Sequence, residues 1–309
     1  MKVAIEIEGL TKTYGHGPEA VTPVNDLNLG IATGEIFGFL GPNGAGKTTT
    51  VKMMTGIVLP TSGTARLLGK PLGDVKTRAR IGYLPETSQI NTFMRADEFL
   101  DFHARLYGMN AARRRQRIPE VLAQTGLAES ARSRVRNFSR GMQQRVAFAQ
   151  AIINEPDLLL LDEPATALDP VGRRDFRNII IQLRDRGSTI FINSHLLSEV
   201  ELICSRVGII NHGKLIRVDK LSSITKPVQV VDVWAEGLPE TTVAKIKQLA
   251  VKVDFGQGGR FTATLDNEDK LGKLAEIVTQ SGAVLKEFSP HHLTLEAAFL
   301  KEIGEDGGN

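Results

Sequence analysis

The sequence has almost no cysteine and no long hydrophobic run. Cys204 is the only cysteine in 309 residues, which excludes a disulfide framework and a cysteine-based zinc site. A lone cysteine is typical of a protein in a reducing cytosol. No strictly apolar run exceeds four residues, whereas a helix that spans a bilayer needs about 20. We therefore expect that the chain does not cross a membrane by itself, and its first residues lack the apolar segment of a secretory signal.

The sequence also has no excess of one charge. Lys and Arg total 38 and Asp and Glu total 35, so the composition does not indicate a nucleic-acid partner. Hydrophobic residues make up 41% and charged residues 24%, which excludes disordered, collagen-like and coiled-coil chains. The length suggests about two domains.

Short apolar runs alternate with helical patterns over the first 220 residues or so. The runs at 36–40, 158–161, 189–192 and 207–210 are apolar at nearly every position, which predicts buried parallel strands. A helix is predicted where Phe176, Ile179, Ile180 and Leu183 fall on one face, and Gly187 is placed to end it. Strands that alternate with helices predict an α/β fold.

Residues 95–145 differ from their surroundings, because they contain eleven arginines, no lysine and five acidic residues. No strand pattern is present, so we predict a helical insertion at about 90–155. The run Arg113-Arg114-Arg115-Gln116-Arg117 is interpreted as a solvated helix face. The alternative is contact with lipid headgroups or with a partner.

The pattern changes again at Lys226-Pro227, which we take as the boundary of a second domain, residues 226–309. There the predicted order of elements is β-α-β-β-α-β, followed by a final helix over 295–303. This order predicts a small α+β domain of the ferredoxin-like kind. Binding of a small-molecule regulator is one hypothesis for it, and it depends on fold analogy alone.

A glycine-rich segment follows the first buried run and fits the phosphate-binding pattern G-x-x-x-x-G-K-[ST]. A predicted helix begins at its end. Backbone N–H groups and the helix N-terminus would surround the phosphates, Lys47 would add a cation, and the Thr48 hydroxyl would bind Mg²⁺. The predicted nucleotide-binding residues here are Gly41, Pro42, Asn43, Gly44, Ala45, Gly46, Lys47, Thr48 and Thr49.

Two carboxylates end the run Leu158-Leu159-Leu160-Leu161. Ligands in open α/β sheets bind at the carboxyl ends of strands. Asp162 is therefore predicted to hold Mg²⁺ and Glu163 to polarise the attacking water. A strand that simply ends in solvated acids is the alternative. The sequence Asn-Lys-x-Asp is absent, which disfavours a guanine-specific enzyme.

With these two motifs, the chain resembles the ATP-binding subunit of an ABC transporter over residues 3 to about 220. The segment Phe138-Ser139-Arg140-Gly141-Met142-Gln143-Gln144-Arg145 is similar to the family signature and lies at the family's distance before Asp162. Ser139 is also a natural N-cap for the helix that follows. The resemblance implies that Ser139 and Gly141 face the γ-phosphate held by another protomer.

Further positions match the family along the chain. Asp169 in Ala167-Leu168-Asp169 resembles the loop that contacts the other protomer, and His195 resembles the histidine that contacts the γ-phosphate. Tyr14 matches the aromatic residue that stacks on adenine, although a tyrosine at a strand end is often only packed there. Glu86 stands where the family usually has a glutamine that reaches Mg²⁺.

The signature departs from the usual pattern at Arg140, which replaces a glycine, and at Met142, which replaces a glutamine and has no amide donor. Together with Leu-Thr-Leu-Glu-Ala-Ala-Phe-Leu at 293–300, these variants resemble the ABC-2 type export branch. That branch often carries a small C-terminal domain.

The resemblance implies an ABC ATPase domain of the P-loop NTPase (RecA-like) fold over residues 1–225. It implies ATP and Mg²⁺ as cofactors, with Thr48, Glu86 and Asp162 as metal ligands and Glu163 and His195 as catalytic residues. It further implies a homodimer on the cytoplasmic face of the membrane that drives a separate permease, in the direction of export. An ATPase that acts on DNA or ribosomes is the alternative.

The permease would enter a groove between Glu86 and the helical insertion. The predicted lining is Phe93, Met94, Phe99, Phe102, Leu106 and Tyr107, although most of these could be core residues.

Overall fold

Two compact units make up the chain, Met1–Lys220 and Leu221–Asn309. In this computed structural model the described residues are 2–224, 229–267, 269–292 and 295–304. The boundary that the sequence predicts, at Lys226-Pro227, lies outside the described residues. The two units divide a few residues before it.

The first unit contains two sheets and a set of helices. Its strands are β1 (Val3–Tyr14), β2 (Val21–Ala32), β3 (Ile36–Leu40), β4 (Ser62–Leu67), β5 (Lys70–Pro71), β6 (Ile81–Leu84), β7 (Leu158–Asp162), β8 (Thr189–Asn193), β9 (Arg206–Asn211) and β10 (Lys214–Lys220). Its α-helices are α1 (Lys47–Met54), α2 (Val75–Arg78), α3 (Ala96–Leu106), α4 (Ala111–Gln124), α5 (Arg140–Ile152), α6 (Pro170–Asp185) and α7 (Leu197–Ile203).

The central sheet has the order β10-β9-β3-β8-β7-β6. All its neighbours are parallel except β10, which runs antiparallel to β9. Every residue of β3, β7 and β8 is buried, which explains why these runs are apolar at nearly all positions. The predicted strands and the α/β class are confirmed. Asp162 pairs in register with Asn193, so the carboxyl ends of β7 and β8 meet at one edge of the sheet.

A second, antiparallel sheet with the order β2-β1-β4-β5 packs against the first. Ile5, Leu10 and Leu27 of this sheet share one buried cluster with Phe37 and Phe191 of the central sheet. The sequence analysis did not predict β1 and β2. Buried and exposed residues alternate along them with several shifts of register, so neither strand carries an unbroken period-2 pattern.

The segment 90–155 contains the α-helices α3, α4 and α5. Phe99 of α3 is buried, so its predicted place in the groove is wrong and it belongs to the core. Phe93, Phe102 and Leu106 are instead exposed.

Three arginines of the run in α4 bind other groups of the protein itself. Arg113 pairs with Glu155, and Arg114 donates to Asp101 at 2.7 Å. Arg117 is 1% exposed, and it donates to backbone carbonyls at the C-terminus of α5 at 2.9 and 3.2 Å. The last carbonyls of a helix have no intrahelical partner, so the guanidinium of Arg117 supplies the hydrogen-bond donors that they lack. The interpretation of the run as a solvated face is therefore wrong for Arg117.

The second unit contains α8 (Leu221–Ile224), β11 (Gln229–Glu236), α9 (Glu240–Leu249), β12 (Lys252–Phe255), β13 (Arg260–Leu265), α10 (Asp269–Thr279), β14 (Val284–His292) and α11 (Leu295–Gly304). Its sheet is antiparallel with the order β12-β13-β11-β14. The described elements have the order and pairing expected of the ferredoxin-like motif. Val231, Val233, Phe261, Leu274 and Val278 form its core.

Candidate functional site

A tight turn joins the buried strand β3 to α1. A Cβ atom at Gly41 would lie 2.4 Å from the Ile210 carbonyl oxygen, and one at Gly46 would lie 2.0 Å from the Pro23 carbonyl oxygen. Gly46 also has a φ of 107°, in the left-handed region. Only glycine fits at these two positions. The turn leads directly into the N-terminus of α1, where backbone N–H groups can bind an anion.

The side chain of Lys47 lies inside this turn. It is buried, and its Nζ donates to the carbonyl oxygens of Gly41 at 2.8 Å and Pro42 at 3.1 Å. Burial lowers the pKa of Lys47, and the carboxylates of Glu163, Asp162 and Glu86 oppose that effect without reversing it. The cation is bonded to carbonyls and is close enough to three carboxylates to be influenced by them.

Asp162 lies at the end of β7, opposite the first turn of α1. Its Oδ1 accepts from Thr48 Oγ1 at 3.3 Å and from the side-chain amide of Asn193. Burial raises the pKa of Asp162 to about 6, and Glu86 and Glu163 add to the effect while the two hydrogen bonds oppose it. Among the described residues, Asp162 Oδ2 and Asn193 Oδ1 have no hydrogen-bond partner although both are buried. Such orphaned buried acceptors indicate that a cation or a water belongs between them.

Glu163 is held by the loop that follows β8. The His195 Nδ1 atom lies 2.7 Å from Glu163 Oε2, and the His195 backbone N–H donates to Oε1 at 3.1 Å. Thr166 Oγ1 donates to Oε2 at 3.4 Å. Glu163 has a φ of 52°, which is uncommon for a residue with a side chain and typical of functional sites. Its carboxylate is therefore fixed from several directions.

These groups surround one open cavity of about 720 Å³. Its lining includes nine of the residues that the sequence singles out: Asn43, Gly44, Gly46, Lys47, Thr48, Thr49, Glu86, Glu163 and His195. Gly41, Pro42 and Ala45 belong to the turn but do not line the cavity, and Asp162 lies behind it with 1% of its surface exposed. The cavity therefore combines the backbone N–H groups of the turn, the ammonium of Lys47 and the carboxylates of Glu86 and Glu163, groups that suit a polyphosphate.

Four further predicted residues lie away from both the turn and the cavity on this chain. Tyr14 ends β1, is 42% exposed and has Lys12 Nζ 5.0 Å from its ring centroid. Ser139 caps α5 by accepting from the Met142 backbone N–H at 3.2 Å. Asp169 caps α6 by accepting from the Gly172 N–H at 2.8 Å. Gly141 lies in the first turn of α5, where a Cβ atom would be 3.4 Å from the Ala167 carbonyl oxygen.

The sequence analysis did not identify Asn193 as a site residue. It lines the cavity, is buried, and its amide bonds directly to Asp162. A signal was present, because Asn193 is the polar residue that ends a buried strand at the same sheet edge as Asp162. The sequence does not show that β7 and β8 are neighbours, and that adjacency is what brings the two side chains together.

Comparisons with known proteins agree with this geometry. Residues 24–166 match the family model described as ABC transporter. An uncharacterized ABC transporter ATP-binding protein of a Nostoc species is 46% identical over 95% of this chain and 88% of its own length. The Nod factor export ATP-binding protein I of Paraburkholderia xenovorans is 39% identical over 70% of each chain.

Solved structures show the same fold. A dimeric ATP-binding cassette in a post-hydrolysis state with ADP and Pi matches with a TM-score of 0.66 and 27% identity. That match covers 70% of this chain and 98% of the other.

Proposed function

This chain is an ATPase of the ABC transporter ATP-binding family, and we propose that it drives export through a separate membrane permease. The observation that carries the ATP-driven part of the proposal is the cavity lined by Lys47 and Glu163, with Asp162 directly behind it. Export is supported by the relative named for Nod factor export.

We propose Mg²⁺ as the metal, because the residues present fit it. Mg²⁺ prefers oxygen ligands, and the site offers the Thr48 hydroxyl and the orphaned Oδ2 of Asp162. Glu86 lines the same cavity, and the orphaned Oδ1 of Asn193 is placed to hold a water of the ion. When bound, the metal would offset phosphate charge.

The remaining chemistry is assigned to the chain's own groups. Lys47 would exchange its two carbonyl partners for phosphate oxygens. Glu163 would accept the proton of the attacking water, and His195 would keep the carboxylate in place through its 2.7 Å contact. The neighbouring N–H groups of the turn would bind the phosphates.

The site is proposed to be completed by a second copy of the chain. Ser139, Gly141 and Asp169 lie outside the cavity, and the ends of α5 and α6 that they cap are free to meet another protomer's nucleotide. The dimeric cassette solved with ADP and Pi supports this arrangement.

The permease is proposed to dock in an open groove on the helical insertion. The groove has a volume of about 530 Å³ and is lined by Met94, Arg95, Asp97, Glu98, Asp101, Phe102, Arg105 and Ile118. Phe102 is 49% exposed, and exposure of an aromatic side chain to water does not stabilise the fold of the isolated chain. An apolar floor with a charged rim is typical of a protein-binding surface. Among the described residues, no helix is both long and apolar enough to cross a membrane.

The test is co-purification with the permease encoded beside this chain, followed by ATPase measurement in vesicles. Phe102→Asp should abolish co-purification while ATP binding persists. Leu202→Asp is the matched control, because Leu202 is 63% exposed on α7 and Phe102 is 49% exposed. Wild-type chain that binds ribosomes or DNA and no membrane protein would support the non-transport alternative and overturn the proposal.

A further inference from the structure

Two segments of the helical insertion, residues 91–97 and 131–137, run side by side and are joined by backbone hydrogen bonds and one isolated β-bridge. The Val135 N–H donates to the Met94 carbonyl at 3.0 Å, and the Arg136 N–H donates to the Thr92 carbonyl at 2.8 Å. An antiparallel bridge joins Arg95 to Arg134. Buried Val135 fixes the second segment to the insertion. We call residues 91–97 and 131–137 the basic ribbon.

Three arginines of the basic ribbon are exposed and lack a partner. Arg132, Arg134 and Arg136 form no ion pair and no side-chain hydrogen bond with any part of the chain that the structure describes. The arginines of α4 differ, because Arg113 and Arg114 pair with carboxylates and Arg117 binds carbonyls. Among the described residues, the ribbon therefore brings three exposed arginines without a partner together in one short segment, whereas α4 contributes one such residue, Arg115.

The acidic groups around the ribbon do not neutralise it. Asp97 accepts from Arg95 at 3.0 Å through both oxygens, and Glu98 lies 3.4 Å from the same guanidinium. Glu129 is exposed just before the second segment. The carboxylates of Asp97 and Glu98 bind Arg95, whereas Arg134, its neighbour in the antiparallel bridge, has no carboxylate within ion-pair distance among the described residues.

The spacing of the free arginines favours an anionic surface over a single small anion. Arg132, Arg134 and Arg136 occupy three separate exposed positions of one segment, so together they can contact several anionic groups at once. The same ribbon carries Phe93, whose side chain is 73% exposed. A row of cations beside an exposed aromatic residue is typical of segments that lie at the headgroup boundary of a membrane.

The ribbon is also continuous with the groove described above. Met94, Arg95 and Asp97 belong to both. A permease seated in that groove would bring the ribbon next to the membrane, and this step depends on the proposed function.

We propose that Arg132, Arg134 and Arg136, with Phe93, bind the anionic phospholipid headgroups that surround the permease. The basic ribbon then orients the ATPase on the membrane independently of its contacts with the permease.

The test uses the full chain, without permease or ATP, in co-sedimentation with vesicles. Vesicles of phosphatidylcholine are compared with vesicles that contain about 30% phosphatidylglycerol, and binding to the second should fall when salt is raised from about 0.1 M to about 1 M. Arg132→Gln/Arg134→Gln/Arg136→Gln should weaken binding by roughly 100-fold, because each arginine contributes about fivefold near an anionic surface. Arg132→Lys/Arg134→Lys/Arg136→Lys should retain most of it.

A matched control removes the same charge elsewhere. Arg66, Arg174 and Arg186 are exposed and lie outside the ribbon, and their triple change to Gln should reduce binding much less than the ribbon variant. Phe93→Ser should weaken binding severalfold. All variants should bind ATP like the wild type, which verifies that they are folded.

Three results would overturn the proposal. They are no preference of the wild type for anionic vesicles, equal loss in the ribbon and control variants, or unchanged vesicle binding in a ribbon variant that no longer assembles with the permease. The last result would assign the ribbon to the permease. Failure of vesicle binding with intact co-purification rejects only the ribbon, whereas failed co-purification rejects the transport function.

Discussion

His195 holds Glu163 by its ring and by its backbone at once. Its Nδ1 lies 2.7 Å from Oε2, and its N–H donates to Oε1 at 3.1 Å. Glu163 also has a left-handed φ of 52°. The loop after β8 thus fixes one of the three carboxylates that influence the lysine of the phosphate-binding turn. A residue held in this way can accept a proton without first reorganising.

Glu163→Gln should stop hydrolysis and preserve ATP binding. The amide retains the shape of the side chain but cannot act as a base, and the loss of a general base lowers turnover by roughly 10²- to 10⁴-fold. Phosphate release measures the rate, and gel filtration with ATP should show a trapped dimer. Turnover at the wild-type rate would contradict the role of Glu163.

Lys47→Ala should weaken ATP binding. Loss of one charge-assisted contact costs about 1.5–3 kcal/mol, which is roughly 10- to 150-fold in affinity. Titration with a fluorescent ATP analogue measures the effect. Lys52→Ala is the control, because Lys52 is an exposed lysine of the same helix. Equal affinities of the two folded variants would argue against the assignment of Lys47.

Asp162→Asn should stabilise the nucleotide-free protein at neutral pH. Burial raises the pKa of Asp162 to about 6 from an ordinary 3.8, so the folded state binds the extra proton between these values and stability falls as pH rises through them. Above about pH 6 the ionised group costs on the order of 3 kcal/mol of unfolding free energy.

Thermal melting in a metal chelator tests this effect. The variant should melt several degrees higher than the wild type at about pH 7.5, with the gain lost near pH 3.5 where Asp162 is protonated in both states. Asp157→Asn is the control, because Asp157 forms an exposed ion pair with Arg80. A gain of equal size at both pH values would mean that the charge of Asp162 is not its cause.

Ser139→Arg and Lys47→Ala should complement each other in mixed dimers. Each variant alone damages both composite sites of its homodimer, whereas a linked mixed dimer carries both lesions in one site and leaves the other intact. The linked mixture should recover part of the ATPase rate of a linked wild-type dimer. If it stays as inactive as its parents, Ser139 does not act on a partner's nucleotide.

A chain that ends at Lys220 should still bind ATP. The cavity residues all belong to the first unit, so the truncation removes none of them. ATP affinity and the melting temperature are the two measurements. A folded fragment without ATP affinity would show that the second unit contributes to nucleotide binding.

Local sequence was sufficient to predict the features that are formed by residues adjacent along the chain. The turn at 41–48 requires glycines because the backbone passes close to Ile210 and Pro23, and its pattern predicts the phosphate site without any knowledge of those contacts. The buried strands β3, β7 and β8 were equally predictable, since strands covered on both faces are apolar throughout.

Other features depend on residues that are distant in sequence. The long strands β1 and β2 escaped prediction because only part of each contributes to the core. Asn193 became a site residue only because β8 lies beside β7.

The arginines of the helical insertion show most clearly what the sequence determines and what the tertiary structure determines. The sequence by itself predicted a helical insertion rich in arginine, because composition and the absence of a strand pattern are local properties. Only the tertiary structure decided which arginines are available. Arg117 looks like a surface residue in the sequence, yet it is buried against the carbonyls of a helix 35 residues away, while Arg134 and Arg136 remain exposed. Whether a charge is neutralised depends on which groups lie within a few ångströms of it, and that distance is set by how the whole chain packs.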